Sequence, residues 1–256
     1  MSLETGVWVA PFLSVIFLLS IERAQSKDAH YFSLRGKIIL GIVLTTYLIN
    51  FCMSSYFLIP LVNFMPFQLI SLSNLDMPRV LNFILCFLII DFFQYVLHRL
   101  HHAAPILWRL HRLHHSDQDV DALTTLLHHP LEAVSSFLLL TILYVVFDVP
   151  VIVILVYALV QGLHSGFTHF KILVPQKIDH YLRYLVITPN VHRLHHSLEF
   201  KESNANFGQI LIIWDVLFGS YQSRSNDELT KMKCGIDEKQ RPPSFKFWPL
   251  ITNPLR

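Results

Sequence analysis

The chain has 256 residues, 53% of them hydrophobic and 15% charged, with a formal net charge of +2. Soluble domains average about 45–50% apolar and about 25% charged, so this composition points to a membrane protein, and a charge this small with no basic run excludes a nucleic-acid binder. Three cysteines without CxxC spacing, Cys52, Cys86 and Cys234, exclude a disulfide framework and a thiolate metal site, which leaves 15 histidines as the feature to explain.

Taken in order, the apolar run Val7–Ile21 predicts a short first membrane helix. Glu4 and no basic residue precede it, so it lacks the basic start of a cleaved signal peptide. Ile38–Val62 is long enough to span, since about 20 apolar residues cross the hydrocarbon. Val80–Leu97 predicts a third span. Ala133–Phe147 and Val151–Leu163 are each short for a crossing and are split by Asp148–Pro150, which predicts a helical hairpin that enters the bilayer and returns. The expected fold class is all-α: an integral membrane helical bundle of about four transmembrane helices or hairpins with a helical, His-rich cytosolic cap. Residues 1–79 are expected to form the N-terminal membrane part, 80–221 the histidine-bearing domain, and 222–256 a polar, proline-containing tail that is either a cap or disordered.

The segment Glu22–Lys37 carries Arg23, Lys27, Arg35 and Lys37, so the positive-inside rule turns it to the cytosol. Counting spans from there puts His98–His129 and His164–His196 on the same side, in an endoplasmic reticulum or bacterial inner membrane.

The histidines recur at helical spacing. At about 100° per residue, Asp91, Tyr95, His98 and His102 share one helical face. Two imidazoles one turn apart can hold one metal, although His101 competes with His102 for that place. A carboxylate inside a span is costly unpaired. Asp91 is therefore expected to accept a hydrogen bond from an imidazole or from Tyr95, fixing ring orientation. Ala103–Pro105 breaks the helix. The string HRLHH then occurs twice, as His111–His115 and His192–His196, the second copy introduced by Thr188 and Pro189. Between them lie His128-His129-Pro130-Leu131-Glu132 and the pair His164 and His169. His128 and His129 point to different faces. Isolated histidines such as His30 and His180 are read as ordinary polar residues. An interfacial belt accounts for Trp108, Arg109 and Arg112 but not for a repeat at i, i+3 and i+4.

Nine or ten imidazoles exceed the needs of one ion, so two are implied. Imidazole suits zinc, copper, iron and nickel. A structural zinc site closes at four ligands, and the Glu-x-x-His pattern of soluble di-iron bundles is absent from the sequence. An all-histidine iron site remains compatible. A His-rich metal transporter or metal-binding scaffold is the alternative; a transporter would place its histidines within the spans, whereas these mostly flank them.

The chain resembles the fatty acid hydroxylase superfamily, in particular its sterol desaturase and related bacterial branch, from about Leu81 to Tyr221. The matching strings are Asp91-x-x-x-Tyr95-x-x-His98-Arg99-x-x-His102; Leu107-Trp108-Arg109-x-His111-x-x-His114-His115-Ser116; His129-Pro130-Leu131-Glu132; Val186-x-Thr188-Pro189-x-x-His192-Arg193-x-His195-His196-Ser197; Glu202-x-x-x-Asn206-Phe207-Gly208; and Trp214-Asp215-x-Leu217-Phe218-Gly219-x-Tyr221. The resemblance implies His98, His102, His111, His114, His115, His192, His195 and His196 as metal ligands. His169 best fits the ninth place, with His164 and His129 as further candidates. Where the family branch often reads His-Ser-Asn, this chain reads His169-Phe170-Lys171.

No catalytic group beyond the ligands is implied; Asp91, Tyr95, Glu132 and Asn206 are candidate supports for them. The resemblance further implies two iron ions (replaceable by zinc on isolation), O2 as co-substrate, and hydroxylation or desaturation of a sterol, fatty acyl or related lipid. With no haem, flavin or iron–sulfur segment, electrons are expected from a partner such as cytochrome b5 or ferredoxin with its reductase. Arg99, Arg109, Arg112 and Arg193 are candidates for docking it, or for pairing with Asp117, Asp119, Asp121 and Glu132.

Overall fold

The computed structural model describes residues 20, 34–58, 69–242 and 244–252. Apart from Ser20, the helix expected over Val7–Ile21 lies outside the described residues, as does His30. The described chain is all-helical, with two isolated bridges, Val186 to Leu211 and Ser197 to Cys234, and no strand.

Helix α1 is Leu34–Met53, continued by one π-helical turn, Ser54–Leu58. The end of the expected span, residues 59–62, is outside the described residues. Helix α2, Arg79–Ala103, has 25 residues. At 1.5 Å per residue it reaches about 37 Å, against about 30 Å of hydrocarbon. It is thus longer than a crossing needs, and His98 to His102 lie in its last turns. Pro105 then opens α3, Pro105–His115, at the position where a missing N–H costs nothing.

Helices α4, Glu132–Phe147, and α5, Val151–Thr168, follow from the predicted hairpin. The turn between them is made by Asp148 in the left-handed conformation, φ 49°, which Asp tolerates better than most residues. Its carboxylate accepts hydrogen bonds from Ser71 and Ser73. The two arms are unequal. Helix α4 has 16 residues, whereas α5 runs through His164 to Thr168, giving 18 residues apolar enough to cross. Among the described residues, three helices meet that criterion: Leu34–Phe57, Arg79–Ala103 and Val151–Thr168. Helices α2, α4 and α5 share a core of Cys86, Ile90, Leu143, Val153 and Tyr157.

Short helices build the cap: α6 Gln176–Leu182, α7 Pro189–His195, α8 Phe200–Ser203, α9 Ile213–Leu217, α10 Asn226–Lys231 and α11 Phe247–Thr252. The expected tail is folded as a cap through residue 252. Gly235 N–H donates to the His196 carbonyl at 3.0 Å, and Leu198 N–H to that of Lys233 at 2.9 Å. Leu250 of α11 is fully buried with Ile38, Ile39 and Ile42 of α1. Arg35, at the start of α1, pairs with Asp117 and Asp121 beyond α3. The basic end of α1 and the histidines thus lie at the same end of the bundle.

Candidate metal centre

Nine histidines converge in two adjoining pockets. In the first, one ring nitrogen from each of His98, His102, His111, His115 and His195 lies within 4.8 Å of all the others; in the second, the same holds for His114, His169, His192 and His196. The two HRLHH strings contribute in opposite senses. His111 and His115, one turn apart, face the first pocket and His114 the second. His192 and His196, one turn apart, face the second pocket and His195 the first. Adjacent helical residues point about 100° apart, so each HH pair straddles the two pockets. The rings of His115 and His196 are 4.6 Å apart, which sets the pockets side by side.

Backbone carbonyls and one carboxylate fix the rings. His98 Nδ1–H donates to Phe207 O at 2.8 Å, His114 to Thr124 O at 3.1 Å, His169 to Ser165 O at 2.7 Å and His195 to Ala205 O at 2.7 Å. His111 Nδ1–H donates to Glu132 at 2.8 Å. These bonds leave the Nε2 lone pairs pointing inward. His98 Nε2 consequently faces His111 Nε2 at 3.2 Å, and His114 Nε2 faces His169 Nε2 at 3.1 Å. Lone pairs that face one another repel unless a cation lies among them. Two ligand nitrogens about 2.0–2.1 Å from one ion stand roughly 3 Å apart when cis, so the spacing fits a coordination polyhedron. Both nitrogens of His102 and His115, and Nε2 of His195, are buried without a protein hydrogen-bond partner among the described residues. Burial and the neighbouring rings push His114, His115, His192 and His196 well below the ordinary histidine value. Burial brings His169 and His195 down to about 3. Neutral imidazole is the form that binds metal. A donor set of five plus four imidazoles, without thiolate, fits two ions of the zinc–copper–iron–nickel group.

The supporting residues differ from expectation. Asp91 touches no imidazole and not Tyr95. It accepts from Tyr157 OH at 2.9 Å, Trp214 Nε1–H at 2.8 Å and Leu211 N–H at 3.2 Å, tying α2 to α5 and to the segment before α9. Tyr95 pairs with Ser220 at 3.0 Å. Asn206 reaches no ring, but its left-handed backbone, φ 56°, sits between the two carbonyls that hold His195 and His98. Its side chain is held by Val191 O, Gln222 O and Gln222 N. Of the four supports, Glu132 alone bonds a converging histidine directly.

His101 turns to Ser135 at 2.9 Å, leaving His102 in the first pocket. His164 bonds the Gln209 carbonyl and joins neither pocket. His129 likewise joins neither pocket: Nε2–H donates to Ile251 O, and Nδ1 accepts Leu131 N–H. Its neighbour His128, which sequence reasoning passed over, donates to Glu132 at 3.0 Å and stacks on His114 at 4.1 Å. The i, i+4 spacing of His128 and Glu132 was the available signal. Of the acidic partners expected for the arginines, Asp117 and Asp121 pair with Arg35, Glu132 bonds histidines, and Asp119 lies exposed, 3.9 Å from Lys171.

The fatty acid hydroxylase family model matches residues 83–220, more than half of the chain. Among curated proteins, the ornithine lipid hydroxylase of Rhizobium tropici is 31% identical over 57% of this chain and 43% of its own length. The alkylglycerol monooxygenases of Homo sapiens and Xenopus tropicalis are 29% and 30% identical, each over 54% of this chain and 30% of theirs. The chain thus spans less than half the length of these relatives. No solved structure matches.

Proposed function

This chain belongs to the fatty acid hydroxylase family, and from that premise we propose that it is a membrane-embedded, O2-dependent hydroxylase of a lipid C–H bond that works with two iron ions. The observation that carries this reading is the sorting of nine inward-facing imidazoles into adjoining pockets of five and four. The family relatives named above are a lipid hydroxylase and monooxygenases, which favours hydroxylation over desaturation. The iron pair would supply O2 activation and the removal of hydrogen from an unactivated carbon. The balanced reaction takes a C–H bond, O2, two electrons and two protons to an alcohol and water.

The chain's own residues supply position and exclusion. His98, His102, His111, His115 and His195 would hold one ion, and His114, His169, His192 and His196 the other. Glu132 and the carbonyls of Thr124, Ser165, Ala205 and Phe207 keep the rings in register. The cap segment around Gly235 is bonded to the His196 carbonyl and so is fastened beside the second pocket. The electrons come from an external donor of the cytochrome b5 or ferredoxin kind. The proposed place of the histidines is the cytosolic rim, a reading supported by Arg35, which pairs the basic end of α1 beside them.

The test combines metal analysis with lipid profiling. Full-length protein purified after growth in iron should carry two ions per chain. Membranes of expressing cells should contain a lipid that gains one oxygen, and His114→Ala should abolish that gain. Two bound ions with an unchanged lipid profile under O2 and reductant would leave a metal-binding scaffold and sink the enzyme reading.

A further inference from the structure

A second apolar surface lies outside the spanning helices. Helices α6 and α9 have seven and five residues, too few to cross a bilayer. They are fastened together by the Val186–Leu211 bridge, by Ile187 N–H to Ile210 O at 2.9 Å and by Ile212 N–H to Leu185 O at 3.3 Å. On this unit Tyr181, Tyr184, Leu185, Val216, Leu217 and Phe218 are each at least half exposed, Tyr181 reaching 73%. A contiguous exposed apolar patch of this kind marks an interaction site.

The acidic groups of the same two segments are turned away from that face, while Lys177 of α6 is exposed. Asp179 is fully buried against Arg183 and Thr188. Asp215 is fully buried and accepts from Phe207 N–H, Gly208 N–H and Ser220 OH. A surface built to bind a basic or polar protein would present acidic groups at its rim; here the amphipathic tyrosines take that place beside Lys177, whose long stem suits a lipid headgroup layer. The patch is also continuous with a spanning helix. Phe92 of α2 packs on Trp214 at 5.1 Å and on Phe218 at 5.8 Å, and Tyr95 stacks on Phe218 at 5.6 Å.

We propose that α6, α9 and the segments bridging them form a monotopic membrane surface, seated in the headgroup–acyl boundary of the leaflet that α2 crosses. The occupant of the patch is the lipid bilayer. Tyr181 and Tyr184 lie at headgroup level, as aromatic side chains with a polar end do, and Leu185, Val216, Leu217 and Phe218 enter the acyl region. Helix α7, which carries His192 and His195, starts four residues after Leu185, so the metal pockets are tied closely along the chain to this surface. The inference rests on α2 crossing the membrane and not on the reaction proposed above.

The test places a bimane fluorophore at single cysteines in the full chain, with Cys52→Ser removing the exposed native thiol. Tyr184→Cys and Leu217→Cys report on the patch, and Glu238→Cys on the exposed cap. All are reconstituted in phosphatidylcholine vesicles with or without lipids doxyl-labelled near the carbonyl. Labels at positions 184 and 217 are expected to lose most of their emission to doxyl lipid and to resist aqueous iodide; the label at 238 should behave in the opposite way. Quenching at 217 by iodide would overturn the proposal. So would shielding from both quenchers, which would mean that protein, including a second copy of this chain, covers the patch. Bound metal equal to wild type in each variant confirms that the labelled chains are folded.

Discussion

His111 donates its Nδ1–H to Glu132 at 2.8 Å, and the same carboxylate oxygen accepts His128 Nδ1–H at 3.0 Å. His128 lies flat on His114, with ring centroids 4.1 Å apart. One buried carboxylate therefore orients a ring of the five-histidine pocket and, through His128, braces a ring of the four-histidine pocket. Removal of such a partner typically lowers metal affinity about 10–100-fold. Glu132→Ala should show a loss of that order in metal-buffered titrations, with a smaller loss in Glu132→Gln, which keeps an acceptor. Wild-type affinity in Glu132→Ala would remove its bracing role.

The opposed contribution of the two HRLHH strings predicts pocket-selective losses. His114→Ala leaves three imidazoles in the second pocket, and His195→Ala leaves four in the first. Metal content should fall toward one ion per chain in His114→Ala and less in His195→Ala, with lipid oxidation lost in the former. His129→Ala and His164→Ala, outside both pockets, should keep both ions. Plasma emission analysis of the purified variants decides this, and loss of an ion from His164→Ala would redraw the second pocket.

Helical periodicity is local, so the recurrence of histidines at i, i+3 and i+4 is readable from residue types alone. So are the break at Pro105 and the turn at Asp148. The choice between His101 and His102, or between His128 and His129, depends on partners far along the chain: Ser135 takes His101, and the Ile251 carbonyl, 122 positions away, takes His129. Asp91 shares a helical face with His98, yet its burial is resolved by Tyr157 and Trp214, 66 and 123 positions away. The length of α5 is hidden for another reason: Gln161, His164 and Thr168 are polar, but Gln161, His164 Nδ1 and the Thr168 hydroxyl bond to protein groups and the helix continues.

Asn206 predicts a backbone effect on the centre. Its positive φ is a conformation that Asn tolerates and that costs other L-residues about 1–2 kcal/mol. Asn206→Ala also strands Val191 O, Gln222 O and Gln222 N. The carbonyls of Ala205 and Phe207 should then lose their aim at His195 and His98. Asn206→Gly relieves the φ strain but not the lost hydrogen bonds. Both variants should weaken metal binding, Ala more than Gly, whereas Ala equal to wild type would mean that the loop holds its shape by other contacts.

Arg35 carries a prediction about α1, which lies outside the matched family domain. It pairs with Asp117 and Asp121, and Asp117 also accepts from Thr124 OH at 2.7 Å. The Thr124 carbonyl in turn receives His114 Nδ1–H. Arg35→Ala leaves two carboxylates facing each other without a cation, a loss of about 3 kcal/mol for a buried pair. The unfolding temperature in detergent should fall by several degrees, and Arg35→Lys should recover part of it. An unchanged unfolding temperature in Arg35→Ala would show that α1 is held by its apolar contacts with Leu113, Leu123 and Leu250 alone.

Acid should act on the metal-free protein in one direction only. The cap histidines His114, His115, His169, His192, His195 and His196 are buried and held below the ordinary value of 6.5, His169 and His195 at about 3. Between these values the unfolded chain binds protons that the folded chain refuses, so stability rises with pH across that window and is lost as pH falls below 6.5. The unfolding temperature of metal-free protein should drop steadily from pH 6.5 toward pH 3 and level off above about pH 7.5, where neither state is protonated. Bound ions compete with the same protons, so loaded protein should resist to a lower pH and then release metal and unfold together. A metal-free protein whose unfolding temperature is flat from pH 7 to pH 4 would show that these rings take up protons as readily in the folded state as in the unfolded one, and that burial does not hold them neutral.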